Sequence, residues 1–312
     1  MSDLPRSIEI HEEGPREGFQ LEPVGIPTTE KVRLIEALAE AGLRYIACTS
    51  FVDPQRVPQM ADALEIAHGV RRRPGIRYTG MWLNEKGFDR ALASTLDLAP
   101  NVVASASNEF SIRNNNCDAS ALLARQARLL DRYAQAGLDL EAAHVFTAFG
   151  CYFEGDIPAE TCLGRLEALL RLCAEHGTSP KTVYLCDTIG AANPEQVRRL
   201  LGAVRERWPE QALGLHLHDT RGMGLANALA GLQMGVRVFD SSCGGMGGCP
   251  FAGHRSASGN ISTEDFALMC EEMGIETGLD VDVLIECAKL AEEIVGRPLP
   301  GRAMRAGRVP HA

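Results

Sequence analysis

The chain has 312 residues, of which 45% are hydrophobic and 23% are charged, and its formal net charge is −10. A chain of this length can bury a substantial core, and the composition is typical of a soluble enzyme. The negative charge argues against binding to nucleic acid or to an anionic membrane, because both need a basic surface.

The ten cysteines contain no C-x-x-C pair and no compact spacing. They therefore predict free, mostly buried thiols and not a disulfide framework. No segment has the pattern of a signal peptide, and no apolar run is long enough to span a bilayer. Together these features predict a cytoplasmic protein in a reducing compartment.

Short β-rich runs alternate with longer helical patterns along the chain. Strands are predicted to begin near eight positions: Ser7, Tyr45, Arg77, Val102, Leu138, Thr182, Leu213 and Val238. The clearest helical patterns between and after them are Thr29–Ala41, Asp118–Gln135, Ala159–His176, Pro194–Arg207 and Asp280–Val295.

This alternation predicts an α/β protein with a parallel sheet. Eight strand–helix units in roughly 250 residues predict a (β/α)8 TIM barrel. No G-x-G-x-x-G motif follows the first strand, which argues against a dinucleotide-binding fold. We expect a single domain over residues 1–312, with the barrel over about residues 7–275 and a C-terminal helical extension and tail over 276–312.

Polar and reactive side chains follow several of the predicted strands. His216 and His218 lie two apart at a strand end, and alternate residues of a strand point to the same side. A lone H-x-H would be weak evidence for a metal site, because paired histidines are often ordinary polar residues. Barrel active sites form where strands end, so we expect one site to include the residues found there: Arg16, Glu17, Asp187, His216, His218, Cys249 and Asn260.

Several ordered segments resemble the 3-hydroxy-3-methylglutaryl-CoA lyase family. This family belongs to the TIM-barrel metallolyases, which include the isopropylmalate and citramalate synthases. The resemblance runs from about residue 7 to residue 275. It is carried by five segments: Thr49-Ser50-Phe51-Val52, Val57-Pro58-Gln59-Met60, Asp187-Thr188-Ile189-Gly190, His216-x-His218-Asp219-Thr220 and Gly247-Gly248-Cys249-Pro250.

The resemblance implies a divalent metal cofactor. The residues that match the family's ligands are Glu17, His216, His218 and Asn260. Two imidazoles, a carboxylate and an amide suit Mg²⁺ or Mn²⁺, and the absence of cysteine ligands argues against a structural zinc.

The resemblance also implies a retro-Claisen cleavage of a 3-hydroxyacyl-CoA to acetyl-CoA and an oxo-acid. Arg16 would polarise the thioester carbonyl and stabilise the enolate. Cys249, on a glycine-rich lid, would protonate the enolate carbon. His216 or a bound water would remove the substrate's hydroxyl proton, and Asp187 would hydrogen-bond ligands or substrate. The family further implies an acyl-CoA substrate as the partner and a homodimer.

Two of the ligand candidates also have ordinary structural interpretations. Asn260 by itself suits an N-cap or turn before the next helix, and Glu17 by itself suits a solvated surface acid. Only the motif context favours the metal-binding interpretation. Cys243, at another strand end, is interpreted as a structural thiol.

Arg16 and Asp187 have structural alternatives as well. Arg16 could form a structural ion pair with Glu12 or Glu13. Asp187 could cap the helix after Gly190, a role that is compatible with a functional one.

The sequence departs from the family pattern in three places. The family's Arg-Asp-Gly is Arg16-Glu17-Gly18 here, so the carboxylate is one methylene longer. The family has a glutamate where this chain has Ala47; that acid helps to position the arginine and the ligand, and Glu17 could fill part of the vacated space. The segment from Cys249 to Asn260 is longer than usual and contains His254-Arg255, which suits either a solvated insertion or contact with an extra substrate carboxylate.

These departures leave the substrate open. Citramalyl-CoA or a 3-acylated hydroxyglutaryl-CoA is an alternative to hydroxymethylglutaryl-CoA. A condensing acyltransferase of the isopropylmalate or citramalate synthase type is a second enzyme class, although Cys249 and the lack of a long C-terminal regulatory extension argue against it. A catalytically inactive barrel that serves as a binding subunit is the third interpretation, suggested by Glu17 and Ala47.

Overall fold

The computed structural model describes residues 4–23, 25–248 and 259–309. Strands and helices alternate along these residues. The ten strands in the described part are β1 Glu9–Glu12, β2 Tyr45–Ser50, β3 Arg77–Met81, β4 Asn101–Ser105, β5 Ala142–Phe146, β6 Gly150–Cys151, β7 Gly155–Asp156, β8 Thr182–Asp187, β9 Ala212–Leu217 and β10 Val238–Ser241.

The eleven α-helices in the same residues connect or follow these strands. They are α1 Thr28–Glu40, α2 Ala63–Gly69, α3 Glu85–Leu92, α4 Asn108–Asn115, α5 Ala119–Gln135, α6 Ala159–Glu175, α7 Pro194–Arg207, α8 Gly224–Gln233, α9 Thr263–Glu272, α10 Val281–Val295 and α11 Ala303–Ala306. A π-helix at Gly14–Gly18 and 3₁₀ turns at Pro58–Met60 and Cys243–Gly245 complete the helical segments.

Several helices begin close to their predicted positions, because the residues that cap them lie next to those positions in the sequence. Asn193 and Gln196 form a reciprocal capping box in front of α7, with Pro194 in the first turn. Asp118 and Asp280 accept backbone hydrogen bonds at the starts of α5 and α10, so each is an N-cap, one residue before its helix. These local bonds determine where the helices begin.

The chain divides into two compact units. The first consists mainly of Ala99–Val238, and the second of Arg6–Leu98, Phe239–Gly248 and the described part of Ala257–Ala312. In the first unit, β4, β5, β8 and β9 are neighbours in that order and run parallel. Because they run in one direction, their carboxyl ends lie at one edge, where Asp187 pairs in register with Leu217.

In the second unit, β1, β2 and β3 are parallel neighbours, with His11 in register with Tyr45 and Tyr45 with Arg77. The other neighbour of β1 is β10, and Glu13 N donates to Ser241 O over 2.8 Å just beyond β1. Helix α1 covers this unit with an aliphatic stripe that is fully buried, namely Leu34, Ile35 and Leu38.

The nine cysteines in the described part of the chain are all free thiols, and most are buried, as the sequence predicts. Among the helices of residues 4–23, 25–248 and 259–309, none is both long enough and apolar enough to cross a bilayer.

Candidate active site

Each unit carries part of the predicted site. The first unit holds Asp187, His216 and His218, and the second holds Arg16, Glu17 and Asn260. Cys249 lies outside the described residues, as do His254 and Arg255.

In the first unit, β9 presents its two histidines together. His216 lies within the strand and His218 directly follows it, and their Nε2 atoms are 3.1 Å apart. Two ligands about 2.1 Å from an ion and at right angles to each other would be separated by about 3 Å, so this spacing fits a shared cation. The structure thus brings the two imidazoles together as strand alternation predicts.

Asp187 ends β8 and is only 1% exposed. Its carboxylate accepts hydrogen bonds from the backbone N–H groups of Ala191 and Ala192, at 2.7 and 3.1 Å. Burial raises the pKa of Asp187 to about 6, although nearby His218 and these N–H groups act in the opposite direction. The interpretation of Asp187 as a helix cap is wrong, because Asn193 caps α7; the carboxylate instead closes the loop after β8.

A threonine that the sequence does not single out connects three loops of the first unit. Thr147 N donates to Thr188 Oγ1 over 2.8 Å, and Ser107 N donates to Thr147 Oγ1 over 3.0 Å. Thr147 has φ = 54°, a left-handed conformation that costs a β-branched residue on the order of 1–3 kcal/mol. No sequence signal predicts it, because threonine favours strands.

In the second unit, the π-helix after β1 carries Arg16 between two carboxylates. Arg16 Nε donates to Glu13 Oε2 over 2.7 Å, and Arg16 Nη1 lies 3.1 Å from Glu17 Oε2. Burial lowers the pKa of Arg16, but the two carboxylates outweigh it and raise that pKa above its ordinary value. The ion pair that the sequence offers as an alternative therefore forms with Glu13, and the guanidinium remains charged.

Glu17 and Asn260 are hydrogen-bonded to each other. Asn260 Nδ2 donates to Glu17 Oε1 over 2.9 Å, and Gly248 N approaches the same oxygen at 3.2 Å. Asn260 is 1% exposed, and its Oδ1 has no hydrogen-bond partner within the described residues. The N-cap interpretation of Asn260 is wrong, because Ser262 caps α9. Glu17 is buried as well, so the solvated-acid interpretation is also wrong.

Glu12, which the sequence suggests only as a possible ion-pair partner of Arg16, is a further buried acid. Its Oε1 accepts from Gly14 N and Cys243 N at 2.7 and 2.9 Å, and its Oε2 accepts from Thr263 Oγ1 at 2.7 Å. Burial raises the pKa of Glu12 to about 7, although these hydrogen bonds lower it. Glu12 connects three chain segments beside the π-helix. Cys243 is fully buried, which agrees with its interpretation as a structural thiol.

Comparison with known proteins now identifies the family. The family model described as HMGL-like matches residues 7–291. This chain belongs to the HMGL-like family. It is 41% identical over 301 residues to the hydroxymethylglutaryl-CoA lyase YngG of Bacillus subtilis (strain 168), a match that covers 96% of this chain and 97% of the relative.

Two other relatives match almost the whole of this chain. A solved structure of an HMG-CoA lyase from Acinetobacter baumannii, in complex with coenzyme A and 3-methylmalate, has a TM-score of 0.88 at 37% identity. That match covers 99% of this chain and 97% of the other. The 3-hydroxy-3-isohexenylglutaryl-CoA/hydroxy-methylglutaryl-CoA lyase of Pseudomonas aeruginosa is 37% identical over 305 residues, which is 97% of this chain and 98% of the relative.

These likenesses confirm the predicted TIM-barrel class, because the solved lyase structures match this chain over almost its whole length. They also confirm the predicted enzyme class. The HMGL-like chain is a hydroxymethylglutaryl-CoA lyase-like enzyme.

Proposed function

We propose that this HMGL-like enzyme is a divalent-metal-dependent carbon–carbon lyase. Its substrate is a 3-hydroxyacyl-CoA that resembles 3-hydroxy-3-methylglutaryl-CoA, and its products are acetyl-CoA and an oxo-acid. The observation that carries the proposal is the pair of Nε2 atoms of His216 and His218, 3.1 Å apart at the end of β9, in a chain 41% identical to a hydroxymethylglutaryl-CoA lyase. The coenzyme A in the Acinetobacter baumannii lyase supports an acyl-CoA substrate.

The residues that would hold the metal ion are Glu17, His216, His218 and Asn260. The buried Oδ1 of Asn260 supports this assignment, because a buried amide oxygen without a hydrogen-bond partner is costly unless something else binds it. The nitrogen and oxygen donors suit Mg²⁺ or Mn²⁺. When bound, such an ion supplies Lewis-acid chemistry that lowers the pKa of a substrate hydroxyl.

The protein's own side chains then carry the reaction. A water molecule accepts the proton of the tertiary hydroxyl, because neutral His216 has no free lone pair when its Nε2 holds the ion. The C2–C3 bond then breaks, and its electron pair passes to the thioester as an enolate. The guanidinium of Arg16 stabilises that enolate, since it remains charged between Glu13 and Glu17. The Cys249 thiol donates a proton to the enolate carbon, which gives acetyl-CoA. Asp187 holds the loop after β8 in place.

A panel of 3-hydroxyacyl-CoAs tests this function. Purified enzyme loaded with Mg²⁺ or Mn²⁺ is incubated with hydroxymethylglutaryl-CoA, isohexenylglutaryl and citramalyl analogues, and products are read by mass spectrometry. We expect acetyl-CoA from at least one thioester. Failure to bind stoichiometric metal would favour an inactive barrel, whereas condensation of acetyl-CoA with an oxo-acid and no cleavage would favour an acyltransferase.

We propose two further features of this protein. The first is a homodimer, as the family resemblance implies, and light scattering on the purified chain measures this oligomeric state. We also propose that residues 1–312 form one cooperative domain, which predicts a single transition in thermal unfolding.

A further inference from the structure

The donor groups of Arg16 are unequally occupied. A guanidinium has five N–H donors in a planar fork. Glu13 Oε2 takes contacts from both Nε (2.7 Å) and Nη2 (2.5 Å), whereas Glu17 contacts only Nη1 (3.1 Å). Glu13 therefore binds the Nε edge of the fork, and with respect to the described residues the outer Nη edge retains N–H donors for a substrate oxygen.

Glu13 is itself firmly held. Its N donates to Ser241 O over 2.8 Å, and its carbonyl oxygen accepts from Arg16 N and Glu17 N at 3.1 and 2.7 Å. Its side chain is only 11% exposed. Glu17, in contrast, shares its other carboxylate oxygen with Asn260 and is a proposed metal ligand. Of the two acids that contact Arg16, Glu13 is therefore the one that is not a proposed metal ligand.

The register of β1 and β2 shows where the acid that contacts Arg16 lies along the chain. Glu12 and Ile46 are the last pair in register between β1 and β2, so Glu13 and Ala47 are each the residue that directly follows this pair. Ala47 is buried and carries no polar group. The carboxylate beside Arg16 therefore comes from the residue directly after β1, whereas the corresponding position on β2 has no acid in this chain.

We propose that Glu13 is a positioning residue that orients the Arg16 guanidinium, so that its outer Nη edge faces the developing enolate, and that it does so in place of an acid at position 47. This inference rests on the proposed function, because Arg16 acts there on the thioester. Glu13 itself does not touch the substrate.

Two substitutions separate anchoring from folding. Glu13→Leu removes the acceptor at similar volume, and Glu13→Gln keeps an oxygen but removes the charge. We expect kcat to fall by about 10²-fold in Glu13→Leu and by less in Glu13→Gln, with KM nearly unchanged, because misorientation affects the transition state. Glu22→Gln is the matched control: Glu22 is buried and paired with Arg297, so kcat should not change.

A second readout does not depend on turnover. The ¹⁵N signal of the Arg16 Nε–H is assigned by its absence from the spectrum of Arg16→Lys. In Glu13→Leu this N–H should exchange with water at least about tenfold faster, since a charge-assisted hydrogen bond is lost. Adding Ala47→Glu to Glu13→Leu should restore part of kcat and slow the exchange, which a purely structural defect would not allow.

The outcomes are distinguishable. Unchanged kcat and unchanged exchange in Glu13→Leu would overturn the positioning role, as would a fall in kcat equalled by Glu22→Gln. If the wild-type enzyme cleaves no thioester, the proposed function fails, and the exchange measurement alone decides whether Glu13 holds Arg16.

Discussion

The side-chain amide of Asn260 donates a hydrogen bond to Glu17 Oε1 over 2.9 Å, although 243 positions separate the two residues. This bond fixes the orientation of the amide, because its nitrogen must face the carboxylate. The amide oxygen consequently points away from Glu17, into a buried position without a hydrogen-bond partner among the described residues. One short contact thus orders a carboxylate and leaves an amide oxygen available as a ligand.

The hydrogen bond between Asn260 and Glu17 allows a test of whether the site depends on the length of the Glu17 side chain. Glu17→Asp shortens the side chain by one methylene and should loosen its contacts with Asn260 and Arg16, so metal affinity and kcat/KM should fall. If an acid at position 47 compensates, Glu17→Asp with Ala47→Glu should recover metal binding, with a coupling of roughly 0.5–3 kcal/mol. Measuring kcat/KM for all four proteins on two thioesters completes the cycle. Additive effects would mean that the two positions are independent.

Removing one imidazole tests the metal site directly. His218→Ala should abolish both metal retention and turnover, because one of the two proposed nitrogen ligands is lost. Metal content is measured by inductively coupled plasma mass spectrometry after dialysis. His68→Ala, which removes an exposed histidine on α2, is the control and should retain both properties. Unchanged metal content in His218→Ala would refute the ligand assignment.

Cys249 is predicted to be the general acid. Cys249→Ala should fold and keep its metal but lose about 10²–10⁴-fold in kcat, the usual contribution of general acid catalysis. Quenched assays of thioester cleavage measure kcat, and metal analysis of the same samples measures the metal content. Cys270→Ala, which removes a buried thiol on α9, is the matched control. Turnover close to that of the wild type would mean that another group donates the proton.

The buried acids predict how stability depends on pH. Burial raises the pKa of Glu264 to about 8, although a hydrogen bond from Gly244 N lowers it. The folded chain therefore keeps a proton that the unfolded chain loses above about pH 4.5. This contribution to the free energy of unfolding is fully present below that pH and is lost as pH rises through 8.

Glu264→Gln should flatten this dependence. Urea unfolding at about pH 5, 6.5 and 8 measures the slope, to which one proton adds at most about 1.4 kcal/mol per pH unit. Glu286→Gln changes an exposed acid paired with Lys289 and should leave the slope as it is. An equal slope in Glu264→Gln and wild type would show that Glu264 titrates normally.

Local signals in the sequence determined most element bounds. Helix α7 begins and ends as predicted, because its capping box and first-turn proline are neighbours in sequence. The predicted start of the fifth strand near Leu138 is wrong, because β5 begins at Ala142. Leu138 N instead donates to Tyr133 O in the turn that follows α5, after Gly137 at φ = 66°. A short apolar run in the sequence does not distinguish a strand from the turn that follows a helix.

The sequence by itself also determined the residue types of the site, since strand alternation brings His216 and His218 together and ordered motifs indicate the family. Only the tertiary structure decided which partners those residues have. Strand register and contacts between distant segments determine three features of the site. These are the ion pair between Glu13 and Arg16, the hydrogen bond between Asn260 and Glu17, and the burial of Glu12. Such contacts leave no periodic signal, because the free energy of a buried charge depends on its surroundings and not on its neighbours in sequence.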